Sequence, residues 1–277
     1  MIGQAERILE LKRLRGAGSF PSGGKIFAFT SGKGGTGKTF LSLNLAYSLV
    51  KKNKKVLVVD LDANFSNGSI MLNMFASKTI YKFYTGHSLL NELITEVEPG
   101  FHFIFGDSGQ TDYPSPGIEM VKYFYSQLRN LQDKYDFIFL DTGAGATDDT
   151  LSFLSRADVN IIVTTPEPTA VMDAYVMLKL LKHGGFSGKK YLLVNRCLSP
   201  NDVMQTHNNF NAATKHFLND SAELLGSVDS NEAVSRSIID QELLVKHFPE
   251  GKTALQISNL SSGLIEIAQM ANIRQTL

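Results

Sequence analysis

Residues 30–40 read TSGKGGTGKTF, with four glycines and two lysines. Gly32, Lys33, Gly34, Gly35, Thr36, Gly37, Lys38 and Thr39 fit the spacing G-x-x-x-x-G-K-[ST]. Glycines at these places let successive backbone N–H groups turn inward around a phosphate. A helix opening at the end of the loop would add its positive N-terminus. Lys38 can reach the β- and γ-phosphates, and the Thr39 hydroxyl can ligate Mg²⁺. The alternative is a glycine-rich turn that holds nothing. A strand before the motif, a helix after it and a downstream apolar run ending in Asp favour a nucleotide site.

Two further stretches supply carboxylates. FIFLDTGAG places Asp141 at the end of an apolar run, where a carboxylate can hold a metal-bound water. Gly143 and Gly145 allow the following loop to move when a γ-phosphate leaves. VVDLDANFSNGS carries Asp60 and Asp62 at alternate positions. One can help organise Mg²⁺, and the other can reach an attacking water. Asp62 lies just past the expected strand and is assigned to the water. Asp60 joins Thr39 and Asp141 as the expected metal set.

These residues need a scaffold that brings strand ends together. KIFAFT (25–30), 55–60, 101–106, 136–141, 159–165 and 191–195 are short apolar runs, as expected of strands covered on both faces. Helical patterns separate them at 39–52, 116–132, 147–156, 167–183 and 202–219. The alternation predicts an α/β fold with a doubly wound, mostly parallel sheet. Such sheets bind ligands at the carboxyl ends of their strands, where the loop and the aspartates fall. Before this domain (25–277), residues 4–15 read as a helix followed by the linker-like GAGSFPSGG, an N-terminal helical appendage over 1–24. Residues 253–277 are expected to form a last core helix; their polar face is too poor in Lys and Arg for a membrane-surface helix.

Composition narrows the functional classes. The 277 residues are enough for one large α/β domain, and Lys plus Arg equals Asp plus Glu at 27 each. No global field drives the chain onto nucleic acid or an anionic membrane. The single cysteine, Cys197, rules out an internal disulfide or a Cys-x-x-Cys metal site, and an intracellular protein is the simple reading. The start has no apolar signal region, and no run approaches the ~18 apolar residues of a membrane span.

The second lysine of the loop, Lys33, is more than a phosphate cradle needs. With it, the loop reads KGGTGKT and resembles the deviant-Walker-A P-loop ATPases of the MinD/ParA class. The resemblance extends over residues 25–270. It implies ATP and Mg²⁺ as cofactors and ATP hydrolysis as the activity. It implies that Lys33 crosses a homodimer interface to the partner's ATP, joining Lys38 and Asp62 as catalytic residues. LLVNR (192–196) resembles the class's base-recognition strand end and makes Asn195 the expected adenine reader, since an amide offers a donor and an acceptor. TTPEPTAVMDAY (164–175) resembles the segment after a core strand in the same class.

DTGAG and the stretch GQAERIL (3–9) narrow the resemblance to the FlhG family, also called FleN or YlxH, which regulates flagellar number and placement. Gln4, Ala5 and Ile8 correspond to that family's DQAxxLR-type motif, while Gly3 and Leu9 depart from it. The resemblance implies partner contacts through Gln4, Ala5 and Ile8 with the SRP-type GTPase FlhF. It also points to flagellar switch (C-ring) proteins or a flagellar transcription regulator as partners. The expected location is the cytoplasm, with recruitment to the cell pole or inner membrane and only weak or indirect membrane contact. The competing readings are a MinD- or ParA-type ATPase in division-site selection or DNA partitioning, and a nucleotide-gated adaptor or anti-activator with negligible turnover.

Overall fold

The structure, a computed structural model, describes residues 24–62, 66–109 and 114–273. Eight strands form one sheet: β1 (Lys25–Thr30), β2 (Val56–Leu61), β3 (Thr95–Glu98), β4 (Phe101–Ile104), β5 (Phe137–Thr142), β6 (Val159–Thr164), β7 (Lys189–Cys197) and β8 (Glu223–Asp229). Their order across the sheet is β3-β4-β2-β5-β1-β6-β7-β8. Every pairing is parallel except the edge pair β3–β4. The six strands expected from sequence are present. The two it missed, β3 and β8, are the sheet edges.

Strand alternation sends side chains to two cores. Phe27, Phe29, Val58, Phe137 and Phe139 face one layer, made by α1 (Lys38–Val50), α2 (Gly68–Met71), α9 (Leu244–His247) and α10 (Lys252–Ile273). Ile26, Ala28, Leu57, Val59, Ile138 and Leu140 face the other layer. That layer comprises α3 (Ile80–Tyr84), α4 (Gly117–Arg129), α5 (Asp148–Leu154), α6 (Pro168–His183) and α7 (Pro200–Leu218). A remaining helix, α8 (Glu232–Ile239), lies beside α9. β1, β5 and β6 are buried along their whole length, so their apolar runs need no polar alternation. α1 is buried almost all round because α10 packs on its outer side, where Ser48 of α1 meets Ser261 of α10.

Ala254, Ile257, Leu260 and Leu264 of α10 are buried in this core, as expected of a last core helix. Among the described residues no helix is long and apolar enough to cross a membrane. The expected N-terminal helix over residues 4–15, with Gln4, Ala5 and Ile8, lies outside the described residues.

The connections from β1 and β5 leave the sheet toward opposite faces, α1 on one and α5 on the other. A crevice opens at such a switch point, outside the carboxyl ends of the two strands. The loop of residues 31–37 sits over it.

Candidate nucleotide site

The loop ends at Gly37, which adopts a left-handed conformation (φ 91°, ψ 23°) at the start of α1. No side chain caps α1, and its first turn has no acidic residue. The first N–H groups of the helix are therefore available to an anion. Gly35 also has positive φ (77°), which an L side chain would resist.

The strand register assembles the carboxylates. Asp60 on β2 pairs in register with Asp141 on β5, and Asp141 pairs with Phe29 near the end of β1. The two aspartates thus lie side by side at the base of the loop, 1% and 2% exposed. Asp60 accepts hydrogen bonds from Ser66 Oγ (2.7 Å) and from the Asp62 N–H (3.0 Å). Burial pushes its carboxyl up to about 7, and the charge of Asp141 adds to the rise. Burial also raises Asp141, to about 6, opposed by the charge of Lys38 and by the Thr39 and Ser42 hydroxyls.

This donor set fits a divalent cation. Asp141 Oδ1 is buried without a hydrogen-bond partner, and both carboxyls would gain from a positive neighbour. Among the described residues no cluster of three or more His, Cys, Asp or Glu side chains forms a self-sufficient metal cage. Magnesium is commonly held by one or two carboxylates together with phosphate oxygens. Thr39, Asp60 and Asp141 would serve in that way.

A cavity of ≈ 920 Å³ opens above these groups. Gly34, Gly35, Gly37, Lys38, Thr39 and Asp62 line it, together with Thr142 and Gly143 of the DTGAG segment. Asp62 lies close to Gly143, where an added Cβ would meet its carboxyl at 3.6 Å. The DTGAG segment is itself tied to the loop: Gly145 N–H donates to the Ser31 carbonyl at 3.0 Å.

The two lysines of the loop part company. Lys38 is buried at the base of the cavity. Lys33 turns toward α6, where its ammonium donates to Glu167 Oε2 (3.0 Å) and Thr169 Oγ1 (3.4 Å). The Thr165 hydroxyl donates to the same Glu167 oxygen at 2.8 Å. The Thr165 and Lys33 contacts hold the Glu167 carboxyl below its ordinary value. Gly32 touches α6 directly, because a Cβ there would come within 2.4 Å of the Asp173 Cβ.

Asn195, at the end of β7, lies under the loop. Its amide nitrogen donates to the Thr36 carbonyl (2.8 Å), and its amide oxygen accepts from the Arg196 N–H (2.9 Å). The structure thus lines one cavity with Lys38, Thr39 and Asp62, buries Asp60 and Asp141 side by side at the strand ends, turns Lys33 toward α6 and ties Asn195 to the loop at Thr36. Sequence reading assigned no role to Ser66, Glu167 or Thr169. Glu167 and Thr169 stand in a stretch picked out for its resemblance, but nothing in their spacing shows that they meet Lys33, more than 130 positions away.

Comparison with known proteins bears on the family and the fold. The family model described as "AAA domain" matches residues 24–184. The flagellum site-determining protein YlxH of Helicobacter pylori is 33% identical, over 96% of this chain and 94% of that protein. The antiactivator FleN of Pseudomonas aeruginosa is 26% identical, over 83% of this chain and 82% of its own length. Among solved structures, the septum site-determining protein MinD of Pyrococcus horikoshii, complexed with Mg-ADP, superposes with a TM-score of 0.73 at 24% identity, covering 89% of this chain and 98% of that one. A deviant phosphate loop on a doubly wound sheet, with a relative of this identity along nearly the whole chain, places the protein in a family: it belongs to the MinD/ParA family of P-loop ATPases, among the YlxH/FlhG flagellar regulators.

Proposed function

We propose that this chain binds Mg-ATP in the loop, dimerises in response, hydrolyses the nucleotide and thereby acts as a switch in flagellar placement and number. The observation that carries the reading is the division of labour between the two lysines. Lys38 points into the cavity beside Thr39, whereas Lys33 lies on its flank, held by an exposed pair with Glu167. A second copy presenting its own nucleotide phosphates would offer Lys33 a more highly charged partner than Glu167.

In this reading the loop N–H groups and Lys38 bind the phosphate oxygens, and the negative charge that builds on the leaving ADP falls where Lys38 can neutralise it. Thr39, Asp60 and Asp141 hold Mg²⁺, which supplies Lewis-acid polarisation of the phosphates when bound. Asp62, beside Gly143 at the cavity wall, orients the attacking water. The oxygen of that water bonds to the γ-phosphorus as the bond to the β–γ bridging oxygen breaks, the bonding pair staying on ADP and the water's protons passing to the released phosphate and solvent. ADP and phosphate leave, and Lys33 loses its ligand across the dimer.

The test is Asp62→Ala with ATP and with ADP, followed by light scattering on a sizing column. Hydrolysis should fall by roughly 10²–10⁴-fold, and the variant should run as a dimer with ATP and a monomer with ADP. Turnover at the wild-type rate would remove Asp62 from the mechanism, and a monomer with ATP would remove the switch.

FlhF and the flagellar switch proteins belong to this proposal as partners, with Gln4, Ala5 and Ile8 as the contact to FlhF. Similarity to an antiactivator across 83% of the chain favours a second reading, in which the ATP-bound dimer holds a flagellar transcription regulator. A pull-down from motile bacteria with the Asp62→Ala protein separates the two by which partner it recovers.

A further inference from the structure

The side-chain amide of Asn195 bonds the phosphate loop on one side and its own neighbour on the other. The residue is 6% exposed, and its nitrogen bonds the Thr36 carbonyl across 159 residues of sequence. The next residue of the loop is shaped around it: a Cβ on Gly37 would come within 2.3 Å of the Asn195 nitrogen. Gly37 is therefore glycine for two reasons, its φ of 91° and the amide that stands where a side chain would be. On the other side, the Asn195 oxygen accepts from the N–H of Arg196, a non-glycine residue at φ 59°. That conformation is uncommon for such a residue and persists where its surroundings hold it.

The consequence follows from the planarity of the peptide bond. None of the described peptides is cis, and in a trans peptide the C=O and N–H point in opposite directions. The Thr36–Gly37 carbonyl is held down toward β7. The Gly37 N–H on the same plane is thereby turned the other way, toward the cavity that Gly37 lines. From this we infer that Asn195 is a positioning residue for the phosphates: it acts on nucleotide through the loop, by aiming the Gly37 N–H into the anion cradle.

The inference rests on the loop binding a nucleoside triphosphate, and it makes a demand that base recognition does not. Inorganic tripolyphosphate has no base, yet it should feel the loss of Asn195 as much as ATP does. In Asn195→Ala, affinities for Mg-ATP, Mg-GTP and Mg-tripolyphosphate should fall together, by about tenfold for one buried hydrogen bond to the loop. Their ratios should stay unchanged, while the free protein should unfold a few degrees lower because the Thr36 carbonyl is left without its partner. Asn195→Asp should lose more, because a carboxylate oxygen would face the Thr36 carbonyl. A fall for ATP alone, with tripolyphosphate binding intact, would make Asn195 a base reader and overturn the inference, as would unchanged affinity for all three.

A measurement on the wild-type protein covers the case in which the variants do not fold. The Gly37 amide proton and the Asn195 side-chain amide resonances should shift alike on adding ATP or tripolyphosphate. Asn195 shifts with ATP only would sink the idea. Wild-type protein that binds neither ligand would break the nucleotide reading itself, whereas wild-type binding of both with no effect in the variants breaks only this inference.

Discussion

Lys38 and Lys33 stand five positions apart in one loop, yet they sit in different surroundings. Lys38 is 8% exposed, in the first turn of α1 beside buried Asp141. The Lys33 side chain is 36% exposed and meets a Glu167 side chain that is 59% exposed. Burial decides what each charge is worth. A charge at a water-poor base, among oriented N–H groups, acts strongly on a phosphate. An exposed pair is worth only about 0–1 kcal/mol and is easily exchanged. On the proposed reading, the inner half of the loop holds and the outer half lets go.

Substituting each half should break the comparison differently. Lys38→Ala removes the inner charge and should reduce Mg-ATP affinity roughly a thousandfold, taking hydrolysis and dimerisation with it. Calorimetric titration reads this directly, and affinity within threefold of wild type would dissolve the distinction. Lys33→Ala should leave ATP affinity nearly unchanged and weaken ATP-dependent dimerisation about a hundredfold or more. Two symmetric charge-assisted contacts, at about 1.5–3 kcal/mol each, would be lost. A normal ATP-induced dimer in ultracentrifugation would reduce Lys33 to a surface charge.

The aspartates beneath the inner half give a pH-dependent expectation. Asp60 is raised in the fold, first by burial and then by Asp141. A carboxyl whose folded value lies above its unfolded one favours the folded state while protonated. That contribution is complete below the unfolded value and is lost as pH rises through about 7. Nucleotide-free protein should therefore lose thermal stability between pH 4 and 8. Asp60→Asn should flatten the profile, raising the midpoint at pH 8 by roughly 2–4 °C with little change at pH 4. An unaltered slope would mean that other groups set it.

The smallest effect belongs to the outer half. Glu167→Gln keeps the side-chain shape but removes the charge that holds Lys33 in its own subunit. Dimerisation with ATP should strengthen by about two- to fivefold, the scale of an exposed ion pair. Weaker dimerisation would mean that Glu167 helps the dimer and does not compete with it.

The glycine loop, the six inner strands and the strand-end carboxylates were legible along the chain because each is encoded locally. A glycine spacing, an apolar run or an Asp at the end of that run is a property of a few consecutive residues. The edge strands β3 and β8 were not legible. TEVE and ELLGSVD have little apolar patterning of their own, and Gly226 interrupts the second where Leu260 of α10 packs against it. Their pairing comes from β4 and β7, already in place.

By itself the sequence determined the doubly wound class and marked out the loop and the residues proposed to touch phosphate or metal. Tertiary structure alone decided what those residues do to one another. The register of β2 on β5 turned two separate aspartates into a buried pair with raised carboxyls. The packing of α6 on Gly32 brought Glu167 to Lys33. The end of β7 slid an asparagine beneath Thr36 and Gly37. Such contacts join positions more than a hundred residues apart, and their strength depends on burial and direction. Neither property exists until the sheet has closed and excluded water.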